Sequence, residues 1–150
     1  MATAEPGIDD PEAVRAEWVG RLEALVRDIK NWVEASGWKT RVYRKSMKED
    51  PALGQYDAPR LVMERERDGV TVALDPVARY VPGADGGVDL YLMPGYDDVA
   101  SLYYEDSRWV VHYARRLDPA ENHSACEGEA LPYSKESILT ILDAMASDHA

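Results

Sequence analysis

Four aspartates, Asp85, Asp89, Asp97 and Asp98, fall in one short stretch with Tyr91 and Tyr96 among them. Carboxylate oxygens grouped in this way suit a hard cation. The spacing matches no calcium loop, because the D-x-D-x-D-G order and the closing Glu are absent. Asp85 precedes Gly86-Gly87, and Asp97 and Asp98 follow Pro94-Gly95, all of them turn positions. Turn chemistry is therefore the expectation here, with no metal and no other cofactor.

Asp89 and Tyr91 carry more information. In VDLYLM the alternation sets Val88, Leu90 and Leu92 on one face and Asp89 and Tyr91 on the other. If the apolar set faces the core, Asp89 and Tyr91 look outward. Groups that could join them are Asp75, Arg79, Arg41, Tyr43 and Lys45. The candidate binding set for a ligand or partner is Tyr43, Asp75, Arg79, Asp89, Tyr91, Tyr96, Asp97 and Asp98, and no catalytic residue is named. The plainer reading is a solvated sheet surface whose cross-strand charge pairs contribute about 0.2–1 kcal/mol each.

Other chemistry is weaker. His123 and Cys126 share a segment, but a thiolate nucleophile wants a positive neighbourhood, and ENHSACEGE supplies carboxylates. One cysteine cannot build a cysteine-based zinc site. Glu64, Glu66 and Asp75 could be the carboxylates of a metal-dependent nuclease, but the positioned Lys that such a site wants is absent. The G-x-G-x-x-G, G-x-x-x-x-G-K-[ST], H-E-x-x-H and G-x-S-x-G patterns are all missing.

Composition narrows the function classes. The formal charge of −11 over 150 residues disfavours nucleic acid, whose phosphates need clustered Lys and Arg. It leaves a basic protein partner open. No apolar run approaches the ~18 residues that a membrane helix needs. MATAEPGIDDPE lacks the basic-then-apolar order of a secretory signal, and a lone cysteine suits a reducing compartment, so a cytoplasmic protein is expected. There is no Phe, against nine Tyr and four Trp. Such rings either edge the core with their polar tips in water or form a gripping surface.

These groups need elements to position them. Residues 1–10 are expected to be flexible. A long helix is predicted from Pro11 to Ser36, with Asp10 as cap and Gly37 as stop. Trp18, Leu22, Leu25, Ile29 and Trp32 form its apolar stripe. Strands follow: Trp38–Lys48, then Arg60–Arg67 and Val70–Asp75 around an Asp68-Gly69 hairpin turn, with EDPALGQYDAP (residues 49–59) as a loop between the first two. Val88–Met93 and a hairpin over 100–114 complete the strands, with a short helix through Tyr104 as the alternative for Tyr96–Tyr104. Residues 115–133 read as a long acidic loop. A C-terminal helix starts after Ser134, with Ile138, Ile141, Leu142 and Met145 inward.

The predicted fold is one α+β domain over 1–150. It has a mostly antiparallel meander of about five or six strands, with both helices packed on one face. In size, charge and element order it is loosely similar to secretion chaperones and toxin-immunity proteins, from which no residue role is carried over. The expected function is a non-enzymatic binding or accessory protein that meets a protein partner on a Tyr-rich, acidic sheet face. The alternative is a small ligand-binding domain or enzyme with a pocket around Asp75, Arg79, Asp89 and Tyr91. Self-association as a homodimer through Trp18 and Trp32 is a third reading.

Overall fold

Asp10 opens the first helix by accepting the Glu12 backbone N–H on its side chain at 3.1 Å. Pro11, whose missing N–H would be unsatisfied there anyway, takes the first helical position. The computed structural model of the chain describes residues 10–113 and 129–147. Helix α1 spans Pro11–Glu34 and buries Val14, Trp18, Leu22, Leu25, Val26, Ile29 and Val33. It ends two residues before the predicted Ser36, and Gly37 takes φ 93° where the chain reverses.

Among the described residues seven antiparallel strands follow, β1 Trp38–Glu49, β2 Gly54–Arg65, β3 Thr71–Ala78, β4 Gly87–Leu92, β5 Asp97–Glu105, β6 Arg108–Tyr113 and β7 Glu129–Pro132. They lie in the sheet in chain order. Helix α2, Lys135–Ser147, closes the described chain, and the Ser134 hydroxyl accepts the Ser137 N–H at 3.1 Å as its cap. The buried sides of α1 and α2 join one core with Leu61, Met63, Val72, Leu74, Leu90, Leu102 and Val111. Both helices thus cover the same face of an α+β domain, as predicted.

Three expectations are corrected. The sheet has seven strands rather than five or six, because β7 lies inside the predicted acidic loop; four residues are too few to show alternation. The predicted loop 49–59 shrinks to four residues, since β2 begins at Gly54 and pairs with β1 along its whole length. Pro59 is tolerated within β2 because β3 pairs only with Leu61–Glu64, so that part of β2 has no second neighbour among the described residues. The Asp68-Gly69 turn is wider than a two-residue hairpin: Arg65 N–H donates to Val70 C=O at 2.8 Å, which leaves 66–69 as the loop. Arg65, itself buried, holds that loop through Asp68 at 3.1 and 2.5 Å. Segment Asp97–Glu105 is strand, as the hairpin reading expects, and it begins three residues before the predicted start at 100. Residues 1–9, 114–128 and 148–150 lie outside the described residues, and with them the expected flexible terminus, most of the acidic loop, His123 and Cys126.

Two aromatic contacts fix α1, one to the sheet and one to the segment leading into α2. Trp18 is 0% exposed and lies 6.2 Å from the Trp109 ring. Trp32 packs 5.3 Å from Tyr133, at the entrance to α2. The domain's own core therefore occupies Trp18 and half-covers Trp32, the rings proposed for self-association. At the far end Glu49 accepts the Arg79 and Tyr80 backbone N–H groups at 2.9 and 3.2 Å, and also the Tyr56 hydroxyl. This carboxylate ties the tip of β1 to the chain leaving β3.

Trp18 needs Gly86 beneath it. A Cβ built on Gly86 would lie 2.3 Å from the indole. Gly86→Ala is expected to lose about 1–3 kcal/mol through forced repacking. Gly20→Ala, with nothing within 4 Å on the exposed side of α1, should gain about 0.5–1 kcal/mol. Urea unfolding measures both, and equal effects of the two changes would remove the close contact from the account.

Candidate functional site

The face opposite the helices is built by the second half of each alternation. Leu61 and Met63 point inward, so Arg60 points outward; Val72 and Leu74 send Asp75 outward; Leu90 and Leu92 send Asp89 and Tyr91 outward; Ala100 and Leu102 send Ser101 outward. Register then sets these side chains side by side. Asp75 lies opposite Asp89, Asp89 opposite Ser101, and Arg60 opposite Tyr43.

Two aspartates directly opposite each other repel unless something compensates. Lys45 reaches across β2, where its register partner is only Ala58, and donates to Asp75 Oδ1 at 2.7 Å and to the Pro76 carbonyl at 2.7 Å. The Tyr91 hydroxyl donates to Asp75 Oδ2 at 2.9 Å, and Arg60 donates in turn to that hydroxyl at 3.3 Å. Arg60 Nε also stands 3.8 Å from Asp75. On the other side, Asp89 accepts hydroxyl donors from Tyr96 and, at 3.3 Å, from Ser101. Tyr96 stacks on Tyr91 with ring centroids 4.3 Å apart. The result is a continuous strip, Lys45–Asp75–Arg60–Tyr91–Tyr96–Asp89–Ser101. Further along the same face the Tyr103 ring meets His112 edge-on at 5.5 Å.

Burial under this strip holds the Asp89 carboxyl above the ordinary carboxylate value; the Ser101 hydroxyl opposes that rise and the Asp75 charge adds to it. Tyr91 is on the outward face yet only 7% exposed, because its neighbours cover it, whereas Tyr96 is 56% exposed. Tyr96 is therefore the ring the strip presents, and Tyr91 is its floor.

Of the eight predicted site residues, the structure brings together Asp75, Asp89, Tyr91 and Tyr96, with exposed Tyr43 beside them across Arg60. It separates the other three. Arg79 lies 4.9 Å over the Tyr80 ring and 4.0 Å from Asp85, beyond a register shift after Pro76. Asp97 is exposed at the start of β5, and Asp98 accepts the Tyr113 hydroxyl at 2.9 Å. Arg60 and Ser101 were not in the predicted set. Both are legible by alternation once Leu61 and Leu102 are placed inward.

Two clefts border the described surface. One of about 380 Å³ lies between Asp68–Thr71 and Leu92–Pro94. Another of about 310 Å³ lies between Val19 and Glu23 of α1 and residues 42–44 and 57–59. Neither lining includes Asp75, Asp89 or Tyr91. Among the described residues no group of three or more His, Cys, Asp or Glu could hold a metal ion, and no helix is long and apolar enough to cross a membrane. Comparison with protein-family models, curated proteins and solved structures found no match to this chain.

The two aspartates should respond differently to substitution. Asp89 holds its proton more tightly folded than unfolded, so its charge costs stability at neutral pH. That cost begins to lift as pH falls through the raised folded value and is gone below the ordinary value of 3.8. Asp89→Asn keeps an acceptor oxygen and should raise the urea midpoint at pH 7, with the gain vanishing near pH 3. Asp75→Asn leaves Lys45 and Arg60 without their carboxylate and should lose about 1–2 kcal/mol at pH 7. A loss of equal size from both variants at pH 7 would contradict this division of roles.

Proposed function

We propose that this chain is a non-enzymatic binding or accessory protein that engages a protein partner through the open face of its sheet. The observation that carries the reading is the Tyr96–Tyr91 stack, set on a hydrogen-bonded base of Asp75, Asp89 and Arg60. Tyrosine and arginine carry a large share of binding energy where proteins meet. Side chains already held by neighbours lose less rotamer freedom on docking. Tyr43, 43% exposed, extends this surface to β1. The formal charge of −11 would steer a basic partner toward the chain. Cytoplasmic residence belongs to the same proposal.

One observation favours a second reading, a small polar ligand on the same strip: the partly buried Asp89 carboxyl, held above its ordinary value, is suited to donate or accept a proton. Arg79 takes no part in that site.

Affinity capture from native cell extract, at low and at high salt, separates the readings. The tagged chain should retain a partner at low salt that Tyr43→Ser/Tyr96→Ser loses. These two exposed rings are expected to change stability by no more than about 1 kcal/mol in total. Equal retention by the double variant removes the open face from the proposal. An empty capture, with a metabolite that raises the melting temperature of the wild type but not of Asp89→Asn, favours the ligand reading.

A further inference from the structure

Five of the chain's 17 Lys and Arg lie within the twelve residues of β1: Lys39, Arg41, Arg44, Lys45 and Lys48, against Glu49 alone. This is the reverse of the chain's overall balance. Strand β1 is also an edge, paired with β2 and with no other strand among the described residues. Arg41 to Arg44 are four consecutive exposed residues, so neither face of the strand is covered there. Lys39 and Arg41 make no ion pair among the described residues, and Arg44 stands 3.9 Å from Asp57 with 81% of its side chain exposed. An exposed pair of that length contributes little.

The backbone of this edge can be assigned. Glu66 N–H donates to Gly37 C=O at 3.0 Å, which makes Gly37 and Glu66 a hydrogen-bonded pair. The β1–β2 register runs on from Trp38–Arg65 without interruption. Antiparallel ladders alternate bonded and unbonded pairs, so the odd-numbered residues of β1 bond to β2. Thr40, Val42, Arg44 and Ser46 therefore turn N–H and C=O away from the sheet. Beside them opens the cleft of about 310 Å³ lined by Val19, Val42, Ala58 and Pro59.

We propose that β1 is a docking edge for an acidic, extended peptide segment of another protein, which adds to the sheet as a further strand. Outward N–H and C=O groups supply its main-chain bonds, and the cleft receives one apolar side chain. Basic groups on both faces of β1 select carboxylates. At physiological salt charges are screened beyond about 8 Å, so the local basic row outweighs the distant net negative charge. A second copy of the chain is a poor occupant: antiparallel self-pairing centred on Tyr43 would set Arg41 against Lys45, and like charges opposite each other destabilise. Lysines on an edge strand also deter indiscriminate pairing, which is the reason to expect a partner of opposite charge rather than any exposed strand. Nothing at this edge depends on the role proposed for the open face.

The probe is a fluorescein-labelled ten-residue peptide of alternating Glu and Val with one central Leu, read by anisotropy. Binding should saturate at low salt, weaken as salt rises, and fall by about tenfold or more for Arg41→Glu/Arg44→Glu. Two N-methylated forms, each blocking one alternate set of peptide amides, decide the mode: one set should abolish binding and the other should be tolerated. Ser46→Pro, which removes an outward N–H and no β1–β2 bond, should weaken binding where Ser46→Ala does not. No binding, or equal binding by both N-methylated forms, overturns strand addition. Equal binding by the Lys-for-Glu peptide overturns the charge preference. A doubled mass in light scattering that Ser46→Pro returns to 16.8 kDa would replace the acidic occupant with a second copy.

Discussion

Trp18 is wholly enclosed between α1 and the sheet, against Trp109 and over Gly86, and the remainder of the architecture depends on that contact. Trp18 is the largest fully buried side chain of α1, so its seat sets where the helix lies. With Leu22, Leu25, Ile29 and Val33 following on the same stripe, α1 is committed to one face of the meander. Helix α2 joins it there through Ile138, Ile141, Leu142 and Met145. Neither helix is left to cover the other side.

One-sided cover has a chemical consequence. Each strand must send alternate residues to the uncovered face, and register then decides which polar groups meet. It brings Asp75 and Asp89 together, an arrangement that is unfavourable alone. The structure answers with Lys45 and Arg60 on one aspartate and with hydroxyls on the other. Charge is treated asymmetrically, so Asp75 anchors a network while Asp89 remains the strained member. Tyr96 lies over this base as its most exposed ring. The second consequence is at the edge. A sheet in chain order leaves β1 unpaired on one side among the described residues, and β1 holds five of the chain's 17 Lys and Arg.

How much of this was legible depends on the range of the signal. The terminal helices were readable because their caps and stripes are local: Asp10, Pro11, Ser134 and the four-three spacing from Trp18. The outward placing of Asp89 and Tyr91 was readable from alternation alone. Strand β7 was not, because four residues in an acidic setting carry no period. The extent of β2 was hidden by Pro59, which looks like a breaker but sits where β2 has no second neighbour among the described residues. Arg79 is near Asp89 in sequence, yet the register shift after Pro76 carries it toward Tyr80 and Asp85. Arg60 and Lys45 meet Asp75 only through pairing across three strands, which no single segment encodes.

The central claim is that the helices shield one face of the sheet and leave the other bare. Hydroxyl-radical footprinting of the isolated native chain, read ring by ring by mass spectrometry, tests it most directly. The account predicts strong labelling of Tyr43 and Tyr96, at 43% and 56% exposure, and protection of Tyr113 and Trp18, at 3% and 0%. Protection of Tyr43 and Tyr96 in the isolated chain would show that face to be covered and would contradict it.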